Sequence, residues 1–280
     1  MPELPEVETV KRGLAPFLEG RQIVQAVALR PDLRFPLPDG FSQRLTGRVV
    51  VCVKRRAKYL LIGFDDGATL ISHLGMSGRF RIYEGEFPAL QKHDHVIFKT
   101  DQGAEVRYND PRRFGFMKIA NAGDLFDHPL IKSIGPEPLS DDFDAKKLAQ
   151  ALKDRHSPIK SVLLDQTVIA GLGNIYVSEV LFRAGISPKR KAANIAAVRI
   201  NKLYNAIVDV LSQAISVGGS TISDHKQPSG ELGYFQNSFG VYGREGAACS
   251  NCNCNILETG GVRRIKQSGR STFYCANQQR

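Results

Sequence analysis

The apolar residues of this chain change period part-way along, and that change restricts the fold more than any other feature. Val7, Val10, Leu14 and Leu18 stand at helical spacing within residues 5–18, and Gly20 can stop that helix. From about 22 to 120 the pattern turns short, β-branched and alternating. The stretches Ile23–Leu29, Val49–Lys54, Tyr59–Phe64, Thr69–Leu74, Val96–Thr100, Glu105–Tyr108 and Gly115–Ile119 read as strands. Turn signals such as Asp65-Asp66-Gly67 and Asp101-Gln102-Gly103 separate them. Residues 135–142 carry no apolar period. Beyond them the period returns to helical over 143–153, 157–166, 174–184 and 194–216, with Val198, Leu203, Ile207, Val210 and Ala214 on one face of the last. Strands first and helices afterwards predict an α+β chain, an amino-terminal β-sandwich or barrel with one leading helix followed by a helical domain. Residues 218–240, rich in Gly, Ser and Pro, read as a long functional loop.

Charge narrows the partners. The chain has 280 residues, with 38 Lys and Arg against 28 Asp and Glu, a net charge of +10. The cations cluster at Lys54-Arg55-Arg56-Ala57-Lys58, Arg112-Arg113, Lys189-Arg190-Lys191 and Arg263-Arg264. A clustered surplus of this size favours a polyanion, most often nucleic acid. No run of 18 apolar residues is present, and the acidic start, with Glu3, Glu6 and Glu8, is unlike a signal peptide. These features predict a cytoplasmic protein. Of five cysteines, Cys52 lies in the run Val49-Val50-Val51-Cys52-Val53 and reads as a packing residue of a buried strand. The other four, Cys249, Cys252, Cys254 and Cys275, fall in the last 32 residues, and in a cytosolic chain such a cluster argues for metal over disulfides.

The chain opens Met1-Pro2-Glu3-Leu4-Pro5. Removal of Met1 would expose Pro2 as a secondary amine. An α-amino group titrates at roughly 7.7–8.0, so it is partly neutral where lysine is charged. A neutral amine can attack an electrophilic carbon and form an iminium, and Glu3 can move the proton. The plainer reading is that Pro2 directs methionine removal and Pro5 starts a helix.

Six segments carry a family resemblance: residues 1–8, Arg55-Arg56-Ala57-Lys58-Tyr59, His73-Leu74-Gly75-Met76-Ser77-Gly78, Asp110-Pro111-Arg112-Arg113-Phe114-Gly115, Gly171-Leu172-Gly173-Asn174-Ile175-Tyr176 and Gly269-Arg270-Ser271-Thr272-Phe273-Tyr274-Cys275. In this order, from residue 2 to 280, the chain resembles formamidopyrimidine-DNA glycosylase. The resemblance implies a catalytic β-sandwich domain (1–134), a linker (135–150), a helix–two-turn–helix domain with a lesion-binding loop (151–240) and a zinc-finger-like β-hairpin (241–280). It implies a base-excision-repair glycosylase that removes oxidised purines, 8-oxoguanine and formamidopyrimidines, from duplex DNA. A β,δ-elimination then cuts the abasic site through a Schiff base on Pro2. Close alternatives are an oxidised-pyrimidine glycosylase of the endonuclease VIII type and a non-catalytic damage-binding protein. A monomer is expected, since recognition needs one active site.

By the same resemblance Glu3 is the acid/base, Lys58 serves β-elimination and Arg270 δ-elimination. Met76, Arg112 and Phe114 fill the gap left by the extruded base; Met76 and Phe114 taken singly also suit core packing. His93, Arg155 and Asn174 match DNA-binding positions, with Asn174 at a helix start suited to phosphate and able to cap that helix. The finger departs from the pattern. Cys249 and Cys252 form the first Cys-x2-Cys pair, but Gln278 stands where the last cysteine belongs, and Cys254 is additional. Three readings follow: Cys254 restores four thiolates on zinc, three cysteines bind zinc with another group, or the finger holds no metal.

Overall fold

The computed structural model describes residues 1–221, 228, 232–252 and 255–280. They form two compact units, one of residues 1–132 with 217–234, the other of 133–216 with 235–280.

The first unit begins with helix α1 (Leu4–Leu18), where Pro5 sits in the first turn and needs no hydrogen bond of its own. Strand β1 (Ile23–Ala28), helix α2 (Phe41–Leu45) and strands β2 (Val50–Arg56), β3 (Tyr59–Phe64), β4 (Thr69–His73), β5 (Arg79–Glu84), β6 (Asp94–Thr100), β7 (Ala104–Asn109) and β8 (Phe116–Ala120) follow, and the short α3 (Pro129–Lys132) closes the segment. The strands build two four-stranded antiparallel sheets, ordered β1-β6-β7-β5 and β2-β3-β4-β8. Val7, Val10, Leu14 and Leu18 of α1 share one core with Val96, Phe98 and Val106 of the first sheet and Val53, Leu60 and Leu70 of the second. Each such side chain contributes about 1.5–3 kcal/mol on burial, so α1 is fixed as firmly as the strands.

Two sequence expectations need correction here. The expected strands omit β5, although Phe80 is buried and Arg79 and Arg81 flank it on the other face. Its strong charges hide a period of two. Cys52 is not fully buried: the register of β2 against β3 shifts between Val50 and Cys52, so Val51 is exposed and Cys52 half-buried. A bulge interrupts the alternation that an apolar run suggests.

In the second unit, helices α4 (Ala145–Leu152), α5 (Ile159–Leu163), α6 (Asn174–Arg183) and α7 (Ala197–Ser216) lead to the short α8 (Ile256–Thr259). Asp144 caps α4 by accepting the Lys147 N–H at 2.7 Å. Strands β9 (Arg263–Gln267) and β10 (Arg270–Tyr274) pair as a hairpin. Its turn, Ser268-Gly269, has both φ angles positive, the two-residue geometry that matches strand twist. No helix among the described residues is long and apolar enough to cross a membrane.

Candidate active site

The start of α1 holds Pro2 and Glu3, both buried. The Glu3 N–H donates to Glu6 Oε2 at 2.9 Å in a capping box. The other oxygen, Glu6 Oε1, accepts from the N–H (2.7 Å) and hydroxyl (2.8 Å) of Ser220. One buried carboxylate therefore joins the amino-terminal residues to the base of the 218–240 loop. Gly219, with φ of +78, brings its backbone so close that an added Cβ would lie 3.0 Å from the same Glu6 oxygen. Residues 222–227 and 229–231 of that loop lie outside the described residues.

Lys58 is also buried. It sits in the tight turn joining β2 to β3, where Ala57 takes the left-handed conformation. That conformation costs a residue with a Cβ about 1–2 kcal/mol. The turn is held from α1: Arg55 donates to Glu8 Oε2 (3.1 Å) and to the Ala57 carbonyl (3.1 Å). Burial pushes the Glu8 carboxyl up, but Lys11, Arg12 and Arg55 outweigh it and keep the group below its ordinary value. Burial lowers the amino group of Met1; Glu3 and Glu6 oppose this, while Lys58 and Arg112 add to it.

Two loops frame a cavity of about 560 Å³, lined by Met1, Arg34, His73, Met76, Arg112 and Phe114 among others. Met76 and Phe114 are exposed, unlike core residues, and the Arg112 guanidinium lies 5.0 Å from the Phe114 ring centre. Asp110, fully buried, organises this rim. It accepts from Ser77 Oγ (2.5 Å) and the Gly115 N–H (2.8 Å), and Ser77 Oγ accepts the Arg112 N–H at 3.1 Å. Gly75 has φ of +64, and a Cβ there would lie 2.2 Å from the Phe114 carbonyl carbon, so the two loops can approach only with glycine. His73 is stacked on Phe116 at 5.1 Å and its Nδ1 accepts the Gly75 N–H at 3.0 Å, which leaves the proton on Nε2. Burial, with Lys58 and Arg34 nearby, brings its pKa down to about 4. His93 is half-buried, its ring 6.2 Å from that of His95 and its carbonyl accepting the Asp110 N–H.

Asn174, Arg155 and Arg270 belong to the second unit. Gly173, not Asn174, caps α6, which corrects the expected cap; Asn174 Nδ2 instead donates to the Ser271 carbonyl at 3.0 Å. Its Oδ1 is buried without a hydrogen-bond partner among the described residues. Lys160 is fully buried and donates to the Ser271 carbonyl (2.9 Å) and Thr272 Oγ1 (2.6 Å). The strand that begins with exposed Arg270, β10, is thus pinned to α5 and α6. Arg155 is engaged locally, donating to the Ala151 carbonyl and facing Asp165 at 3.6 Å. Glu179 of α6 accepts from the N–H groups of Gly240, Val241 and Tyr242 at 2.7–3.0 Å. Burial raises its pKa, and the three donors and Arg183 only partly offset that rise. Beside them, the sulfurs of Cys249, Cys252 and Cys275 all lie within 4.8 Å of one another. Cys252 is disulfide-bonded, so it can ligate a metal only once reduced. Cys254 lies outside the described residues.

The family model for the formamidopyrimidine-DNA glycosylase N-terminal domain matches residues 1–117, and that for the formamidopyrimidine-DNA glycosylase H2TH domain matches 134–226. The formamidopyrimidine-DNA glycosylase of Ruegeria pomeroyi is 54% identical over 100% of both chains. The chain belongs to the formamidopyrimidine-DNA glycosylase family. Solved members include a Lactococcus lactis FPG mutant in complex with a Fapy-dG containing DNA, similar at TM-score 0.89 and 37% identity over 100% of both chains. MutM in complex with carbocyclic 8-oxo-G containing DNA is similar at TM-score 0.88 and 38% identity over 100% of both chains. The MutM (FPG) protein from Thermus thermophilus gives TM-score 0.87 and 38% identity over 99% of this chain and 98% of that one.

Within this family frame, the three cysteines can coordinate a metal. Their soft donors suit zinc, and the sulfur spacing supplies three corners of a tetrahedron, with no fourth cysteine beside them among the described residues. Sequence reading missed Glu6, Ser220, Asp110, Lys160 and Glu179. Each is a buried polar residue with at least one partner far along the chain. Only Glu6 and Asp110, inside quoted motifs, carried any local signal.

Proposed function

We propose that this chain is a bifunctional DNA glycosylase and abasic-site lyase acting on oxidised purines, 8-oxoguanine and formamidopyrimidines, in double-stranded DNA within the cytoplasm. The observation that carries the reading is the amino-terminal cluster. Pro2 and Glu3 are buried at the start of a fixed helix, and burial lowers the pKa of the amino group that stands there, against Glu3 and Glu6 and with Lys58 and Arg112. Its relatives' complexes with Fapy-dG, carbocyclic 8-oxo-G and abasic-site DNA supply the substrate class.

With Met1 removed, Pro2 presents its nitrogen in the same buried setting, where loss of water favours the neutral nucleophile. The damaged nucleotide leaves the stack at a cost of a few kcal/mol. Pro2 attacks C1′ as the base departs, Glu3 moves protons at the sugar, and the iminium acidifies the neighbouring C–H. Lys58 assists β-elimination and Arg270 δ-elimination. Met76, Arg112 and Phe114 occupy the vacated position, Arg112 bonding the orphaned base. His93, Arg155 and Asn174 bind the phosphate backbone. Zinc, held by Cys249, Cys252, Cys275 and one further donor, would fasten the finger that bears Arg270. Borohydride reduction of the reaction on an 8-oxoguanine duplex tests this reading by trapping the iminium on Pro2.

A further inference from the structure

The finger has lost one cysteine of its second pair, and Gln278 occupies that position. The turn that carries it is nevertheless stapled in place. The Gln279 N–H donates to the Cys275 carbonyl (2.9 Å), its side-chain Oε1 accepts the Cys275 N–H (2.8 Å), and its Nε2 donates to the Ile186 carbonyl (2.9 Å). Gln279 is itself buried, while Asn277 faces outward. Three residues beyond Cys275, the Gln278 side chain turns its carboxamide oxygen toward Cys249, with Oε1 4.0 Å from Cys249 Sγ.

These distances suit a tetrahedral ion. With Zn–S of about 2.3 Å and Zn–O of about 2.1 Å, the sulfur–sulfur edge is about 3.8 Å and the sulfur–oxygen edge about 3.6 Å. Cys252 and Cys275 stand at 3.5 Å and Cys249 and Gln278 at 4.0 Å, both near those edges. Cys249 and Cys252, at 2.9 Å, would open by about 0.9 Å around the ion.

We infer that the Gln278 carboxamide oxygen is the fourth zinc donor, making a three-thiolate, one-oxygen site in place of four thiolates. The inference rests on the zinc reading above. Two consequences follow. A neutral, harder oxygen holds zinc less tightly than a thiolate does. The loaded site also carries a net charge one unit less negative, on a finger that presents Arg263, Arg264, Lys266 and Arg270.

The test uses the full-length protein, reduced and stripped of metal, titrated with cobalt(II) and then zinc against a chromophoric chelator. The expected wild-type spectrum has the sulfur-to-cobalt charge-transfer intensity of three thiolates. Gln278→Cys should raise this to four, shift the ligand-field bands and tighten zinc by about 10-fold or more; Gln278→Ala should weaken zinc by about 10-fold. Cys254→Ser should leave both readouts unchanged. A four-thiolate wild-type spectrum that Cys254→Ser reduces to three would assign the corner to Cys254 and overturn the inference. So would Gln278→Ala that matches the wild type in spectrum and affinity. Failure of the reduced wild type to bind either metal overturns it together with the zinc reading, but leaves the glycosylase reading intact, since trapping on Pro2 is read separately.

Discussion

The amino-terminal site and the carboxy-terminal finger are built from the same kinds of material and specified to very different degrees. Around Pro2 and Glu3, each supporting carboxylate is bonded, Glu6 and Asp110 buried and Glu8 half-buried: Glu6 to Glu3 and Ser220, Glu8 to Arg55, Asp110 to Ser77 and Gly115. In such a network a substitution leaves a buried donor or acceptor without its partner, at about 1–3 kcal/mol each. The finger instead rests on a two-stranded hairpin, a small apolar cluster and three sulfurs. A two-stranded hairpin is marginal by itself, so the finger relies on anchors such as Lys160 and, in the proposed reading, on a metal.

The largest expected effect would break the comparison at its strong end. Pro2→Gly should lower base release by about 10³-fold or more, as removal of a nucleophile does elsewhere, measured in single-turnover assays on 8-oxoguanine opposite cytosine. Near-normal rates would move the nucleophile out of the amino-terminal cluster. Next, Lys58→Ala should slow cleavage at preformed abasic sites by about 10²-fold, the scale of a lost proton-transfer group, while release of 8-oxoguanine falls less. Equal losses on both substrates would remove that role from Lys58.

The supporting network gives a pH prediction. His73 titrates at about 4 in the folded chain, below its ordinary value of 6.5. As pH falls, the unfolded chain takes up this proton first. The contribution of neutral His73 is complete above about pH 6.5 and is lost progressively toward pH 4, by up to about 3 kcal/mol. Denaturant unfolding at about pH 7, above that window, and at about pH 4.5, near its lower end, should show the loss, and His73→Gln should flatten it; an unchanged pH slope in the variant would show that other groups carry it. The smallest effect concerns the weak end. Cys275→Ser should abolish zinc content and weaken duplex binding by about 10-fold with little change in overall stability. Unchanged zinc content and affinity would uncouple the finger from metal.

Legibility in the sequence follows the same division between local and distant interactions. The helical stripe of α1, the strand alternations and the motifs at Lys58, Met76, Arg112 and Arg270 are local patterns, and the amino-terminal sheets, helical region and cysteine-bearing hairpin are legible from them. What stays hidden depends on partners far away in the chain. Nothing near Glu6 announces Ser220, 214 positions on, and nothing near Lys160 announces Thr272. Asn174 reads as a cap because it is a good capping residue at a helix start; Gly173 takes the cap and releases the carboxamide to β10. Charges on its half-buried face mask β5, and a bulge that leaves no mark in an all-apolar run displaces Cys52.

The central claim is that a buried amino-terminal proline is the nucleophile, and borohydride trapping tests it most directly. The mature protein is incubated with a duplex carrying 8-oxoguanine opposite cytosine, reduced, digested and mapped by peptide mass. The account predicts one covalent DNA adduct, on the nitrogen of Pro2, lost in Pro2→Gly. An adduct on Lys58 or another lysine, or no adduct while tight salt-sensitive binding persists, would contradict it.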